Sequence, residues 1–255
     1  MKSLLKNLLI LGITFLTFTA SAQNKMRSLE ELVNTTDPAW PLIQKWADSA
    51  KNKVEIMEVD SASAKTALFN TQVTTFSTLG AVVYNSGGIM VDNGWLRILG
   101  SGSPRLNRSV SEWNKGKSIK EFGEVPPYFL IADDAIGGFF AINYGAFGQD
   151  LKTIYYLAPN SLEWESIGLG YTEFLRFCFD GDLSAFYKGL RWSSWDKFIA
   201  KLDGSKSYSF SPYLWTKEGM DIEKCKRKLV PTEELYQFVM SNQREINQKP
   251  PVEPQ

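Results

Sequence analysis

Asp133-Asp134 and Glu163-Trp164-Glu165 are the groups in this chain whose types and spacing invite chemistry. Neighbouring carboxylates can hold a cation or divide the work of general acid and general base. Two glutamates beside an aromatic ring are compatible with a glycosidase. Local geometry argues against both. Adjacent side chains of an extended segment point to opposite faces, so Asp133 and Asp134 diverge unless the backbone bends. The plainer expectation is a polar turn in which aspartate side chains accept backbone N–H groups. Glu163 and Glu165 share a face if residues 162–167 are extended, and that face reads as solvent-exposed. Asp180-Gly181-Asp182 starts like a calcium loop, but its twelfth position, which must be a bidentate Glu, is Arg191. Asp182 is expected instead to cap the helix that follows.

The absences narrow the chemistry further. The 255 residues contain no histidine, which removes Ser-His-Asp and Cys-His catalysis and most zinc or copper sites. The two cysteines are Cys178 and Cys225. An exported chain could bridge them, or Cys178 could be a small buried hydrophobe within LRFCFDG. Trp95 and Arg97, at alternate positions, could build a ligand platform, because Trp and Arg dominate binding hot spots. The plainer reading is a hydrophobic strand residue beside a solvated arginine. GSGSPR at 100–105 lacks the Lys-Ser/Thr of a P-loop, and Arg105 and Arg108 read as ordinary surface charge. The binding candidates are thus Trp95, Arg97, Asp133, Asp134, Glu163 and Glu165, with no catalytic residue, metal site or cofactor indicated.

These residues need elements to position them. Residues 128–190 supply the centre, with apolar strands at 128–132, 139–143, 154–157 and 162–167. Two amphipathic helices follow. Phe174, Leu175, Cys178 and Phe179 share one face, and Leu183, Phe186, Tyr187 and Leu190 repeat at helical spacing. Trp195, Phe198, Ile199 and Leu202 begin a third. Upstream, Ser28 and Glu31 fit a capping box, and Asp37-Pro38 reads as the cap and first residue of a helix running to Ala50. A strand at 54–59 and a helix at 61–72 follow. Residues 81–84, 89–91 and 95–99 read as a three-strand meander whose last turn is Asn93-Gly94. One helical turn is expected around 110–113. Residues 208–215 read as an edge strand limited by Pro212, residues 220–230 are ambiguous and basic at 224–228, and Pro231-Thr232 opens a last helix whose core face is Leu235, Phe238 and Val239.

The chain begins MKSLLKNLLILGITFLTFTASA, with Lys2 and Lys6 ahead of an apolar run and small residues at 20–22. That is the layout of a removable signal peptide over residues 1–22, and the run is shorter than the roughly 20 residues that cross a bilayer. No stable membrane insertion is expected after its removal. No cysteine follows, which argues against a lipidated N-terminus. Lysines and arginines number 28, as do the acids; removal of Lys2 and Lys6 leaves a net charge of −2. Without a basic footprint, nucleic acid is not an expected partner. Residues 23–247 are expected to form one domain, and the proline-rich residues 248–255 a disordered tail.

The centre resembles the SUKH superfamily. The likeness lies in the paired glycines Gly137-Gly138, the strand FFAI at 139–142, the strand IYYL at 154–157, Trp164-Glu165, and the helix opening YTEFL at 171–175. DPAWPLIQKW, LGAVVYNSGGIMVDNGWLRILGSG and GLRWSSWDKFIAKL are similar to a bacterial family of unknown function that carries this SUKH-like centre. The resemblance implies a single α+β domain with a mostly antiparallel sheet and packed helices, without a known activity. Many SUKH relatives are immunity proteins, which implies a protein partner. The reading is an exported, periplasmic or secreted binding module; the alternatives are an envelope hydrolase acting on carbohydrate through Asp/Glu pairs and a structural module without a ligand site.

Overall fold

The structure, a computed structural model, describes residues 26–248. The expected signal peptide and residues 249–255 of the expected tail lie outside the described residues, and Gln248 closes the last helix instead.

Seven strands form one antiparallel sheet in the order in which the chain makes them. They are β1 (Val54–Ile56), β2 (Gly88–Val91), β3 (Leu96–Leu99), β4 (Tyr128–Asp134), β5 (Phe139–Asn143), β6 (Ile154–Leu157) and β7 (Trp164–Ser166). The α+β class with an antiparallel sheet is therefore as expected. Every residue of β2, β3, β5 and β6 is buried, so the middle of the sheet is covered on both faces. This explains why those strands read as continuous apolar runs rather than alternating ones. Phe140 stacks on Tyr156 across the β5–β6 pair at 4.4 Å, a contact of the cross-strand kind that fixes register.

Four helices before β2 and one after β7 build a layer: α1 (Leu29–Leu32), α2 (Trp40–Asp48), α3 (Ser61–Thr71), α4 (Thr78–Asn85) and, after the sheet, α6 (Tyr171–Asp180). Helix α4 sits at the centre of this layer, touching α2, α3 and α6. The α1 capping box forms as expected: Ser28 Oγ accepts from Glu31 N–H, and Glu31 Oε2 accepts from Ser28 N–H at 2.7 Å. Helix α2 starts later than expected, with Ala39 at its cap. Asp37 does not cap it, because Asn34 Oδ1 already turns the chain by accepting the N–H groups of Thr36 and Asp37 at 2.9 Å each.

The largest correction concerns residues 81–84, which are helical rather than a strand. Ser77 Oγ accepts from Gly80 N–H at 3.1 Å and starts α4. Leu79, Ala81, Val82 and Val83 are then buried, and a short run of apolar residues buried all round carries no period to separate helix from strand. The meander is instead β1–β2–β3. Its second turn contains three successive residues at positive φ, Asp92, Asn93 and Gly94, the conformation for which Asn-Gly is suited. Strand β1 ends three residues before the expected Val59, and β7 covers only part of 162–167 because Leu162 takes a left-handed φ of 58°.

Two further helices are shorter than their apolar spacing suggests: α7 (Leu183–Phe186) and α8 (Trp195–Ile199). Gly189, with φ of 80°, ends the turn after α7. Asp182 caps α7 as expected, accepting from Ala185 N–H at 2.9 Å. Residues 206–211 and 226–231 form a separate hairpin of β8 (Lys206–Ser211) and β9 (Lys226–Pro231). It packs on the last helix, Thr232–Gln248, whose Leu235 and Val239 are buried as expected. No helix among the described residues is long and apolar enough to cross a membrane.

Candidate functional site

Strands β3 and β4 place Arg97 directly opposite Asp133. Both side chains are buried, and Arg97 Nε lies 2.6 Å from Asp133 Oδ1 as an ion pair not aligned as a hydrogen bond. Arg108 reaches the other carboxylate oxygen at 2.5 Å. Arg97 then donates to Lys206 O at 2.6 Å and to Ser207 Oγ at 2.7 Å, which ties the main sheet to β8. Burial pulls the Arg97 pKa below the ordinary arginine value, and Asp133 pulls it back. The solvated Arg97 expected from the sequence is thus corrected: its partner Asp133 lies on the neighbouring strand, where sequence spacing does not show it. Arg108, read as surface charge, belongs to the same cluster.

Asp134 points the other way, as alternation requires. Its Oδ1 accepts from Ile136 N–H at 3.0 Å and Gly138 N–H at 2.8 Å, and its Oδ2 accepts from Tyr156 O–H at 2.7 Å. This is the expected aspartate turn. Gly138 is required there, since a Cβ would stand 2.3 Å from Asp134 Oδ2 and 2.4 Å from the Tyr156 hydroxyl. Burial raises the Asp134 pKa, against the pull of Tyr156, Gly138 and Ile136. The two aspartates therefore do not converge on a reacting atom.

The remaining candidates separate from them. Trp95 precedes β3 and is buried under Tyr187, Trp192 and Trp195, with ring centroids 5.4, 5.8 and 5.0 Å away. The cation above it is Arg191, at 4.9 Å, not Arg97. Trp95 and Arg97 thus form no exposed platform. Glu163 and Glu165 are exposed, as expected, at the far edge of the sheet. Three strand spacings separate β7 from β4, roughly 14 Å.

The feature not legible in the sequence is a groove of about 740 Å³ above Arg108. Its walls come from Ser101, Ser103, Asn107, Trp113, Lys117 and the Lys206 and Pro231 ends of the hairpin. Helix α5 (Val110–Asn114) holds the tryptophan. Asn114, fully buried, fixes α5 to the sheet by accepting from Leu130 N–H and donating to Leu130 O, each at 2.8 Å. It thereby satisfies the backbone of β4 beyond the end of β3. Two cations lie against the indole of Trp113, the Arg108 guanidinium at 4.5 Å and Lys117 Nζ at 4.1 Å from its ring centroid. Lys117 also pairs with Glu233 at 2.7 Å. Burial raises the Glu233 pKa, but its bonds from Lys117 and Gln237 outweigh that and hold it below the ordinary value. Asp60, another groove residue, is held low by the backbone and hydroxyl of Ser63 as the cap of α3. Glu112 is exposed at the rim.

Only one signal could have pointed to this arrangement. A carboxylate at the end of an apolar strand needs cationic partners when both faces are covered, and Arg97 and Arg108 were available. Among the described residues no three acidic or cysteine side chains gather in a metal-binding group. Cys178 and Cys225 are both buried and unbridged, so Cys178 takes the small-hydrophobe alternative.

The sequence profile described as "Protein of unknown function DUF2625" matches residues 29–235, and the chain belongs to that family. An uncharacterized protein of Haemophilus influenzae is 42% identical over 212 residues, covering 83% of this chain and 93% of its own. A putative uncharacterized protein of Escherichia coli, YbfG, is 43% identical over 213 residues, covering 84% of this chain and 95% of its own.

Proposed function

We propose, with that family membership as the premise, that the protein is exported and acts as a non-catalytic module binding a protein partner in the groove beside Trp113. The observation that carries this reading is the state of the groove's charged groups. Asp133 and Glu233 are neutralised by arginine and lysine, and Asp60 is engaged as a helix cap. What remains toward solvent is a set of hydroxyls, an amide, Glu112 and Lys206, above a buried indole braced by two cations. Such a polar rim over a packed floor suits recognition. Asp60 and Glu233 are both held below their ordinary values, so neither is the protonated acid that an acid–base hydrolase needs. The likeness of residues 137–175 to the SUKH superfamily supports a protein as the partner, and the N-terminal layout of residues 1–22 supports a periplasmic or secreted site of action.

The test uses Asn107, an exposed groove residue. Residues 23–255 would be used to capture partners from envelope extract, in parallel with Asn107→Trp, which fills the groove without touching the core. A partner retained by the parent and lost by the variant at equal melting temperature supports the reading. A partner held equally by both removes the groove from it. N-terminal sequencing of the envelope protein tests export separately, and is expected to begin at Gln23. Recovery of Met1-intact protein from the cytoplasm alone would refute that part.

A further inference from the structure

Strand β9 is an open edge, and its register identifies which of its backbone groups are free. Thr232 N–H donates to Ser205 O at 2.8 Å, which makes Ser205 and Thr232 a hydrogen-bonded pair at the end of the ladder. Bonded and non-bonded pairs alternate along an antiparallel ladder. With Ser207 opposite Val230 and Ser209 opposite Lys228, the residues Val230, Lys228 and Lys226 turn their backbone groups toward β8. Arg227, Leu229 and Pro231 turn theirs away. The N–H of Tyr208 gives the same phase from the other side, since it leaves the hairpin and donates to Ala135 O at 2.7 Å. Pro231 falls on the outward phase, where a missing N–H costs no ladder bond. Among the described residues, the N–H groups of Arg227 and Leu229 have no backbone acceptor outside the hairpin.

The edge is also strongly charged. Lys226, Arg227 and Lys228 are exposed in succession, and neither Lys226 nor Lys228 has an acidic partner among the described residues. Leu229 follows with 43% of its surface exposed. Lysines on an edge strand repel a second copy of the same edge, so self-pairing is disfavoured. An extended segment of opposite charge is not. Because outward donors and acceptors alternate, a peptide backbone can satisfy both, whereas a phosphate chain supplies acceptors only. The Pro231 end of the strand is itself a wall of the groove, so a segment lying on the edge leads directly to it.

We infer that β9 receives an extended acidic segment of a protein partner, which pairs with Arg227 and Leu229 and adds a third strand to the hairpin. This is strand addition, in which main-chain bonds give affinity and side chains give selectivity. The inference deepens the protein-partner reading and rests on it, but its test substitutes only strand residues outside the groove, so the two can fail separately.

The test titrates residues 23–255 with a fluorescent eight-residue peptide of alternating Glu and Thr. Its controls are the same peptide N-methylated at every residue, a Lys-Thr peptide and a single-stranded oligonucleotide. The acidic peptide is expected to bind saturably, and at least tenfold more tightly than each control. Lys226→Glu/Lys228→Glu and Leu229→Pro, each with a parent-like circular dichroism spectrum, are expected to weaken it at least tenfold. Absence of binding to the parent protein overturns the inference. So does equal binding of the N-methylated peptide or the oligonucleotide, which would mean attraction by charge alone. Unchanged binding by a folded Leu229→Pro would move the peptide off the edge and equally refute it.

Discussion

Arg97 and Asp133 stand opposite one another on neighbouring strands, 2.6 Å apart, with side chains 1% and 0% exposed. An ion pair this deep is worth little compared with a well-packed apolar pair, but removing one partner strands the other as an uncompensated charge. Asp133 serves two arginines, Arg97 and Arg108. Asp133→Ala is therefore expected to cost about 3–5 kcal/mol in urea unfolding. Glu165→Ala, exposed at the sheet edge, is expected to cost less than about 0.5 kcal/mol. Comparable losses for the two would mean that the buried cluster is not what joins β3, β4 and β8.

Phe186 is expected to be far more sensitive than Glu163. The ring is only partly buried, yet it meets Phe177 at 5.4 Å, Tyr156 at 5.3 Å and Tyr187 at 4.8 Å. Phe→Ala in a core costs about 3–5 kcal/mol, and partial exposure places Phe186→Ala near the lower end. Glu163→Ala should stay within about 0.5 kcal/mol. Thermal melts of the two variants decide this, and equal shifts would show that Phe186 does not join the core.

The contrast between these residues shows what was legible from the sequence. Strands β4 to β6 and helix α6 were readable because their apolar runs or periods are long and bounded by glycine, proline or a cap. The divergence of Asp133 and Asp134 was readable because it follows from strand alternation alone. The fate of Arg97 was not, since its partner is 36 residues away in sequence and adjacent only through the β3–β4 register. The groove was hidden for the same reason. It is assembled from α3, the 101–109 loop, α5 and the hairpin, none of which marks the others in sequence. Residues 81–84 failed differently: burial on every side erased the period that separates helix from strand.

Both thiols are expected to be free and protected. Cys178 is fully buried in α6, and burial pushes its pKa well above the ordinary thiol value; burial also raises that of Cys225. The thiolate is the reactive species. Labelling by iodoacetamide at pH 8 without reductant is therefore expected to be slow in the native protein and to reach two modifications after unfolding. A purified protein that takes up no label when unfolded would instead contain a bridge, and the native structure would have to bring the two cysteines together.

Asp134 gives the protein a pH response opposite in sense to that of Asp60, Asp150 and Asp221. Burial raises its pKa above the ordinary value of 3.8, so the folded protein holds this proton more readily than the unfolded chain. Its contribution to stability is fully present below the unfolded value and is lost as pH rises through the higher folded value. Asp60, Asp150 and Asp221, held low by hydrogen bonds, act in the opposite sense and lose their contribution as pH falls. Asp134→Asn isolates the first effect, because an amide oxygen can still accept from Ile136 and Gly138 while remaining neutral. Urea midpoints of parent and variant, measured from about pH 4 to about pH 8, should diverge in favour of Asp134→Asn as pH rises. A difference that stays constant across that range would mean that folded Asp134 is ionised throughout, and that its pKa is not raised. A difference that shrinks with rising pH would mean that its hydrogen bonds, rather than its burial, set the direction of the shift.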